Sequence, residues 1–215
     1  MYSMLRFLDK VKPEKTAVLV IDMSNAFVGP GAFVEMGNKF APKLGGFLDI
    51  CRGKGLRVIY TTHTYRADGA DKTAVSRLVS PPGVLVDGTS DVEIYAPCAP
   101  KADDIVIKKH FYSGFYGTEL DIILRSLGIE TVVITGVCTD VCCFATARDA
   151  FFRGYGVVIL SDLTGTVSWP DIGYGTFGAE TYHVAALNNL HATNADVTTS
   201  EEFSARIAES VQSAT

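Results

Sequence analysis

The sequence predicts an α/β protein in which a six-stranded parallel sheet is covered by helices on both faces. Three observations carry that expectation. Six short runs are apolar and rich in β-branched residues, as in strands buried on both faces. Helical spacing of apolar residues appears between most of them, and strands that alternate with helices connect by right-handed crossovers into a three-layer, parallel arrangement. The chain has 215 residues, 47% of them apolar, enough for one large core, so residues 1–215 read as a single domain.

The first strand is TAVLVID, Thr16 to Asp22. Phe40, Leu44, Phe47, Leu48 and Cys51 then fall at helical spacing, and Gly55 caps that helix. LRVIYTT, Leu56 to Thr62, is the second strand. Residues 63–102 follow as a long loop region containing Pro81, Pro82, Pro97 and Pro100, and loops of that length are often functional. DIVIKK, Asp104 to Lys109, is the third strand; Thr118 N-caps a helix carrying Leu120, Ile123 and Leu124, which Gly128 ends. TVVITG, Thr131 to Gly136, leads to a helix from Cys143 to Phe152 stopped by Gly154. YGVVILSD, Tyr155 to Asp162, is the fifth strand; a glycine-rich loop, 163–179, surrounds Trp169 and Pro170. A helix from Tyr182 to Leu190 and the short strand ADVTT, Ala195 to Thr199, complete the pattern.

A net charge of −5 without any basic stripe argues against nucleic acid or an anionic membrane as partner. No apolar run approaches the roughly 20 residues of a membrane span, and MYSMLRFLDKVKPEK has no long apolar segment of the secretory kind. Five cysteines, an odd number, do not form a secreted disulfide framework, and a cytoplasmic location is expected.

Ligands of open α/β sheets bind outside the carboxyl ends of the strands. Those ends carry Asp22, His63, Lys108 and Lys109, the segment GVCTDVC, and Asp162. The turn after the fourth strand places Cys142 in the first turn of a helix, where the helix dipole lowers a thiol pKa from about 8.5. A nearby lysine would add to that shift, a carboxylate could accept the proton, and free N–H groups of the turn could hold an oxyanion. Other readings stand beside this one. Cys51, Cys98 and Cys143 read as small buried apolar residues, Cys138 and Cys142 as a CxxxC redox pair, Asp22 as a strand-end cap and Lys109 as a solvated charge. Zinc needs ligands in closely spaced pairs, whereas the four histidines are scattered. Spacing by itself leaves Cys142 between nucleophile and core residue.

Together these segments resemble the isochorismatase-like cysteine hydrolases, from about Thr16 to Phe203. TAVLVIDMSNAF resembles the motif of the catalytic aspartate, here Asp22. IVIKKHFYSGFYGTEL resembles the lysine motif, and the six-residue step to the phenylalanine of its S-x-F turn selects Lys109 over Lys108. GVCTDVCCFATARDA resembles the nucleophile motif, in which the cysteine after T-D-x is Cys142. The resemblance implies a cis peptide between Val137 and Cys138 and an oxyanion hole formed by the N–H groups of Cys138 and Cys142.

The activity it implies is hydrolysis of a C–N bond in a small carboxamide, carbamoyl or ureido compound through a cysteine thioester. Vinyl ether hydrolysis and a non-catalytic partner domain are the alternatives. The D-x-H metal motif of nicotinamidases is replaced by TTHTYRADGAD, so neither metal nor other cofactor is expected. Ser24 and Ala26 stand where a glutamine and an acidic residue are common, which alters the pocket floor. His63, Arg66, Asp68, Gly69 and Asp71 resemble the carbamoyl and ureido amidases, such as N-carbamoylsarcosine amidases and biuret hydrolases. Arg66 is thereby expected at the pocket mouth, holding a carboxylate or carbonyl, the alternative being an exposed pair with Asp68 or Asp71. Phe27, His63, Tyr112, Phe115 and Trp169 are the further candidates for substrate contact, and a homo-oligomer, dimer or tetramer, is expected.

Overall fold

The computed structural model describes residues 7–80 and 82–212. Expectations for Pro81 and for the extreme ends of the 1–215 domain, the start of the leader reading included, lie outside these residues. The six strands form one sheet in the order β3-β2-β1-β4-β5-β6, every neighbouring pair parallel. They are β1 (Thr16–Ile21), β2 (Arg57–His63), β3 (Ile105–Lys109), β4 (Thr131–Val137), β5 (Gly156–Gly165) and β6 (Asp196–Thr198). The order reverses between β1 and β4, and at such a point a crevice opens at the carboxyl ends of the strands.

The helices are α1 (Asn25–Val28), α2 (Glu35–Gly53), α3 (Ala74–Val79), α4 (Leu120–Ser126), α5 (Phe144–Phe152), α6 (Ala179–Thr193) and α7 (Ser200–Gln212). Strand alternation divides the core between two layers. Val18 and Val20 face Leu44 and Leu48 of α2 and Phe203 and Ile207 of α7. Ala17, Leu19 and Ile21 face Leu124 of α4, Ala147 of α5 and Leu190 of α6. Each large aliphatic side chain buried this way contributes about 1.5–3 kcal/mol, which explains why β1 and β4, buried on both faces, are mostly apolar, the buried Thr135 hydroxyl being satisfied by Leu19 O at 3.0 Å.

Three helices stop by one device. Gly55, Gly128 and Gly154 have φ of 83°, 67° and 87°, and the next residue's N–H returns to Cys51, Leu124 and Ala150, respectively. Several boundaries differ from the sequence pattern. α2 begins at Glu35, with Pro42 inside it. β5 continues to Gly165, which shortens the glycine-rich loop, and α6 runs longer at both ends. Thr118 precedes the N-cap Glu119, yet its hydroxyl still accepts the Leu120 N–H at 3.3 Å. α1 and α3 are too short to show a period, and α3 is set by Thr73, whose hydroxyl accepts the Ser76 N–H. α7 is mostly polar in sequence and gives a weak periodic signal; among the described residues its buried apolar side chains are Phe203 and Ile207, four apart.

Candidate active site

Asp22 follows β1 where the chain leaves the sheet: its N–H donates to Thr61 O at 3.0 Å, and its φ is +51°. That conformation is uncommon for a residue with a side chain and recurs at functional positions. The neighbouring strand must be glycine at this level. A Cβ on Gly136, whose φ is +106°, would lie 2.0 Å from Ile21 O. Asp22 is fully buried; Oδ1 accepts from the Thr61 hydroxyl at 3.3 Å, and Oδ2 lies 2.7 Å from Lys109 Nζ. The latter contact is a buried ion pair, and Oδ2 has no aligned hydrogen-bond donor among the described residues.

Alternation along β3 separates its two lysines. Lys108 points outward to Asp87 at 2.7 Å, whereas Lys109 is fully buried. Lys109 Nζ donates to Phe111 O at 2.9 Å and lies 3.5 Å from Cys142 Sγ. Burial lowers the Lys109 pKa, but Asp22 and Cys142 outweigh that effect and raise it. The group is an ammonium.

The Val137–Cys138 peptide is cis, and Thr139–Cys143 then forms a π turn ahead of α5. Cys142 therefore sits in a wide, buried turn rather than in the first turn of an α-helix. Its pKa shift runs opposite to the expected one. Burial raises the thiol well above its ordinary value; Lys109 pulls it down, but the Asp22 carboxylate adds to the rise.

A cavity of about 540 Å³ opens over this group, with Cys138 and Cys142 in its lining. Of the candidates for substrate contact, Phe27, His63, Tyr112 and Trp169 border it, and Ala26 does too. Phe33, Tyr65, Val84 and Leu85 also line it, which the sequence did not reveal because they come from separate loops. His63 Nε2 and the Tyr65 hydroxyl share a 2.8 Å hydrogen bond, and burial pushes the His63 pKa down to about 3, leaving the ring neutral.

Three expected positions lie elsewhere. Phe115 is in the core: it stacks on Tyr155 with 6.0 Å between ring centres, and Arg153 covers it. Arg66 is exposed and forks onto Asp68 at 3.1 and 2.9 Å, because the turn carrying it is folded back by Asp71 binding the Arg66 N–H. It borders a separate cavity of about 220 Å³. Ser24 is buried outside the cavity lining; its backbone bridges to Ile94, and its hydroxyl has no hydrogen-bond partner among the described residues.

The residues around Cys142 also organise the wall. Asp140 accepts from Trp169 Nε1 at 2.6 Å and from the Thr166 hydroxyl, fixing the start of the 166–178 loop. The Thr139 hydroxyl pairs with His183 Nδ1 at 2.8 Å, while His183 Nε2 donates to Ser161 O at 3.0 Å. The T-D pair before the cysteine was the available sequence signal for this scaffold.

Donor atoms of Asp22, His63 and Cys142 lie within 4.8 Å of one another, close enough for a metal. Lys109 already places an ammonium 2.7 Å from the carboxylate and 3.5 Å from the sulfur. A divalent ion there would face that cation at short range in a buried setting, so the donor set suits the internal ion pair better.

The isochorismatase domain family matches residues 16–202 of the chain. A ureidoacrylate amidohydrolase (RutB) from Caulobacter segnis is 31% identical over 215 residues, covering 90% of this chain and 86% of its own. Its counterpart from Agrobacterium fabrum is 34% identical over 176 residues, covering 72% and 77%. A solved cysteine hydrolase from Pseudomonas syringae pv. phaseolicola superposes with a TM-score of 0.90 at 33% identity, over 93% of this chain and 95% of its own. N-carbamoylsarcosine amidase from Thermoplasma acidophilum gives 0.68 at 29% identity, over 86% and 96%.

Proposed function

The chain belongs to the isochorismatase family, and from that premise we propose that it is a cysteine-dependent amidohydrolase cleaving a C–N bond of a small carboxamide, carbamoyl or ureido compound. The observation that carries this reading is the buried Asp22–Lys109–Cys142 cluster beneath an open cavity. Asp22 takes the Cys142 proton as the thiolate attacks the substrate carbonyl, and Lys109 stabilises the sulfur's negative charge. The N–H groups of Cys138 and Cys142 receive the oxyanion. Collapse expels ammonia or an amine, which takes the proton from Asp22. Asp22 then deprotonates a water that attacks the thioester, releasing the acid and the thiol.

A retained thiol in contact with Lys109 favours amide over vinyl ether cleavage, and a cavity that reaches Cys142 favours an enzyme over an inactive partner domain. The exposed Ile172 and Tyr174 on the 166–178 loop support a homo-oligomer, which light scattering would test. Five cysteines without a disulfide support a reducing, cytoplasmic setting. The decisive experiment is ammonia release from a panel of amides and ureas, with mass spectrometry of the trapped acyl-enzyme. The expected mass increment falls on the peptide containing Cys142; turnover without any adduct on Cys142, and undiminished in Cys142→Ser, would refute the reading.

A further inference from the structure

We propose that the substrate of this site carries an uncharged aromatic or branched apolar group and no carboxylate. The inference rests on the amidohydrolase reading and specifies its substrate class. Phe27, Phe33, Val84, Leu85, Tyr112 and Trp169 form most of the wall above Cys142. Phe27 and Phe33 lie 5.4 Å apart between ring centres at 59°, so two faces of the same corner are aromatic. The cavity, about 540 Å³, has room for a ring beside the amide.

The polar part of the lining is small and uncharged. His63 and Tyr65 are hydrogen-bonded to each other, and Ser80 adds a hydroxyl to the lining. Among the described residues no lysine or arginine borders this cavity. Lys109 is sealed under the floor, with no exposed surface, and is held by Asp22 and Phe111 O.

Arg66, Lys72 and Arg77 line the separate cavity of about 220 Å³, and each has a partner. Arg66 forks onto Asp68 and Arg77 donates to Gly69 O at 2.6 Å. Lys72 covers the Tyr65 ring at 4.5 Å and donates to Ser80 O. A substrate carboxylate entering the catalytic cavity would lose hydration without meeting a counter-ion, and Asp22 would repel it. An aromatic or branched group would instead exchange water for ring and aliphatic contacts.

Matched pairs test this directly: benzylurea against ureidoacetate, and phenylacetamide against malonamate, in which a carboxylate replaces the ring. The expected kcat/KM for ammonia release favours the ring-bearing member by about 100-fold. Val84→Arg, at a half-exposed position of the rim, should raise kcat/KM for the carboxylate members at least about tenfold. Equal or better turnover of the carboxylate members by the wild type overturns the proposal, as does carboxylate turnover that disappears in Arg66→Ala. If no compound releases ammonia, the amidohydrolase reading fails separately. Calorimetry on Cys142→Ala protein then decides the substrate class: tighter binding of the ring-bearing members upholds it, and tighter carboxylate binding or none by either overturns it.

Discussion

At the scale of the residue, adjacent Cys142 and Cys143 have the same chemistry and different surroundings. Cys142 borders the cavity 3.5 Å from Lys109, whereas Cys143 is sealed in the core with Sγ 3.9 Å from Thr135 O. Cys142→Ser should lower kcat by at least about 10³-fold with the fold retained, because a serine hydroxyl is far harder to ionise. Cys143→Ser should leave kcat nearly unchanged and lower stability by about 1–3 kcal/mol, the cost of a buried hydroxyl. Steady-state kinetics beside denaturant melts separates the two; equal kinetic losses in two folded variants would contradict these roles. With Lys109 already occupying the charge-neutralising position, exhaustive treatment with a chelator should leave turnover unchanged. A stoichiometric metal required for activity would show otherwise.

At the scale of the element, the end of β4 sets both the site and its wall. Gly136→Ala places a methyl group against the β1 backbone at a left-handed position. It should destabilise by more than about 3 kcal/mol or prevent soluble expression, since neither strand can withdraw from a fully paired sheet. Two residues before Cys142, Asp140 holds Trp169 and Thr166. Asp140→Ala should release the start of the 166–178 loop and raise KM by about 5–10-fold, with a smaller change in kcat, the signature of lost uniform binding. A pure kcat defect would assign Asp140 to the chemistry instead.

At the scale of the whole molecule, burying His63 links folding to pH. Its folded pKa is about 3, against an ordinary value of 6.5. Between those limits the unfolded chain binds more protons, so stability falls as pH falls and is fully present above 6.5. The slope approaches about 1.4 kcal/mol per pH unit for one proton. From pH 7 to 5 the wild type should lose about 2 kcal/mol more than His63→Asn. Urea melts at the two pH values measure it, and parallel losses would mean that His63 does not control the acid limb.

The sequence by itself determined the order of elements, because strand and helix periods are local properties of a few side chains. It placed Asp22, Lys108 and Lys109 at strand ends, and the resemblance of IVIKKHFYSGF to the lysine motif selected Lys109; alternation in β3 then separated the two lysines in the structure. Gly55, Gly128 and Gly154 were readable as helix stops for the same local reason. Tertiary structure decided what each residue meets. Tyr112 and Phe115 are three apart and equally aromatic, yet one borders the cavity and the other packs under α5. Phe33, Val84 and Leu85 join the wall from loops far apart in the chain, and Arg66 is turned away by its own acidic neighbours. The Cys142 thiol shows the difference most directly. A helix start next to a lysine argues for a lowered pKa, but the surrounding layers exclude water, and burial with Asp22 raises it. Desolvation depends on everything packed around a group, and no local pattern encodes that.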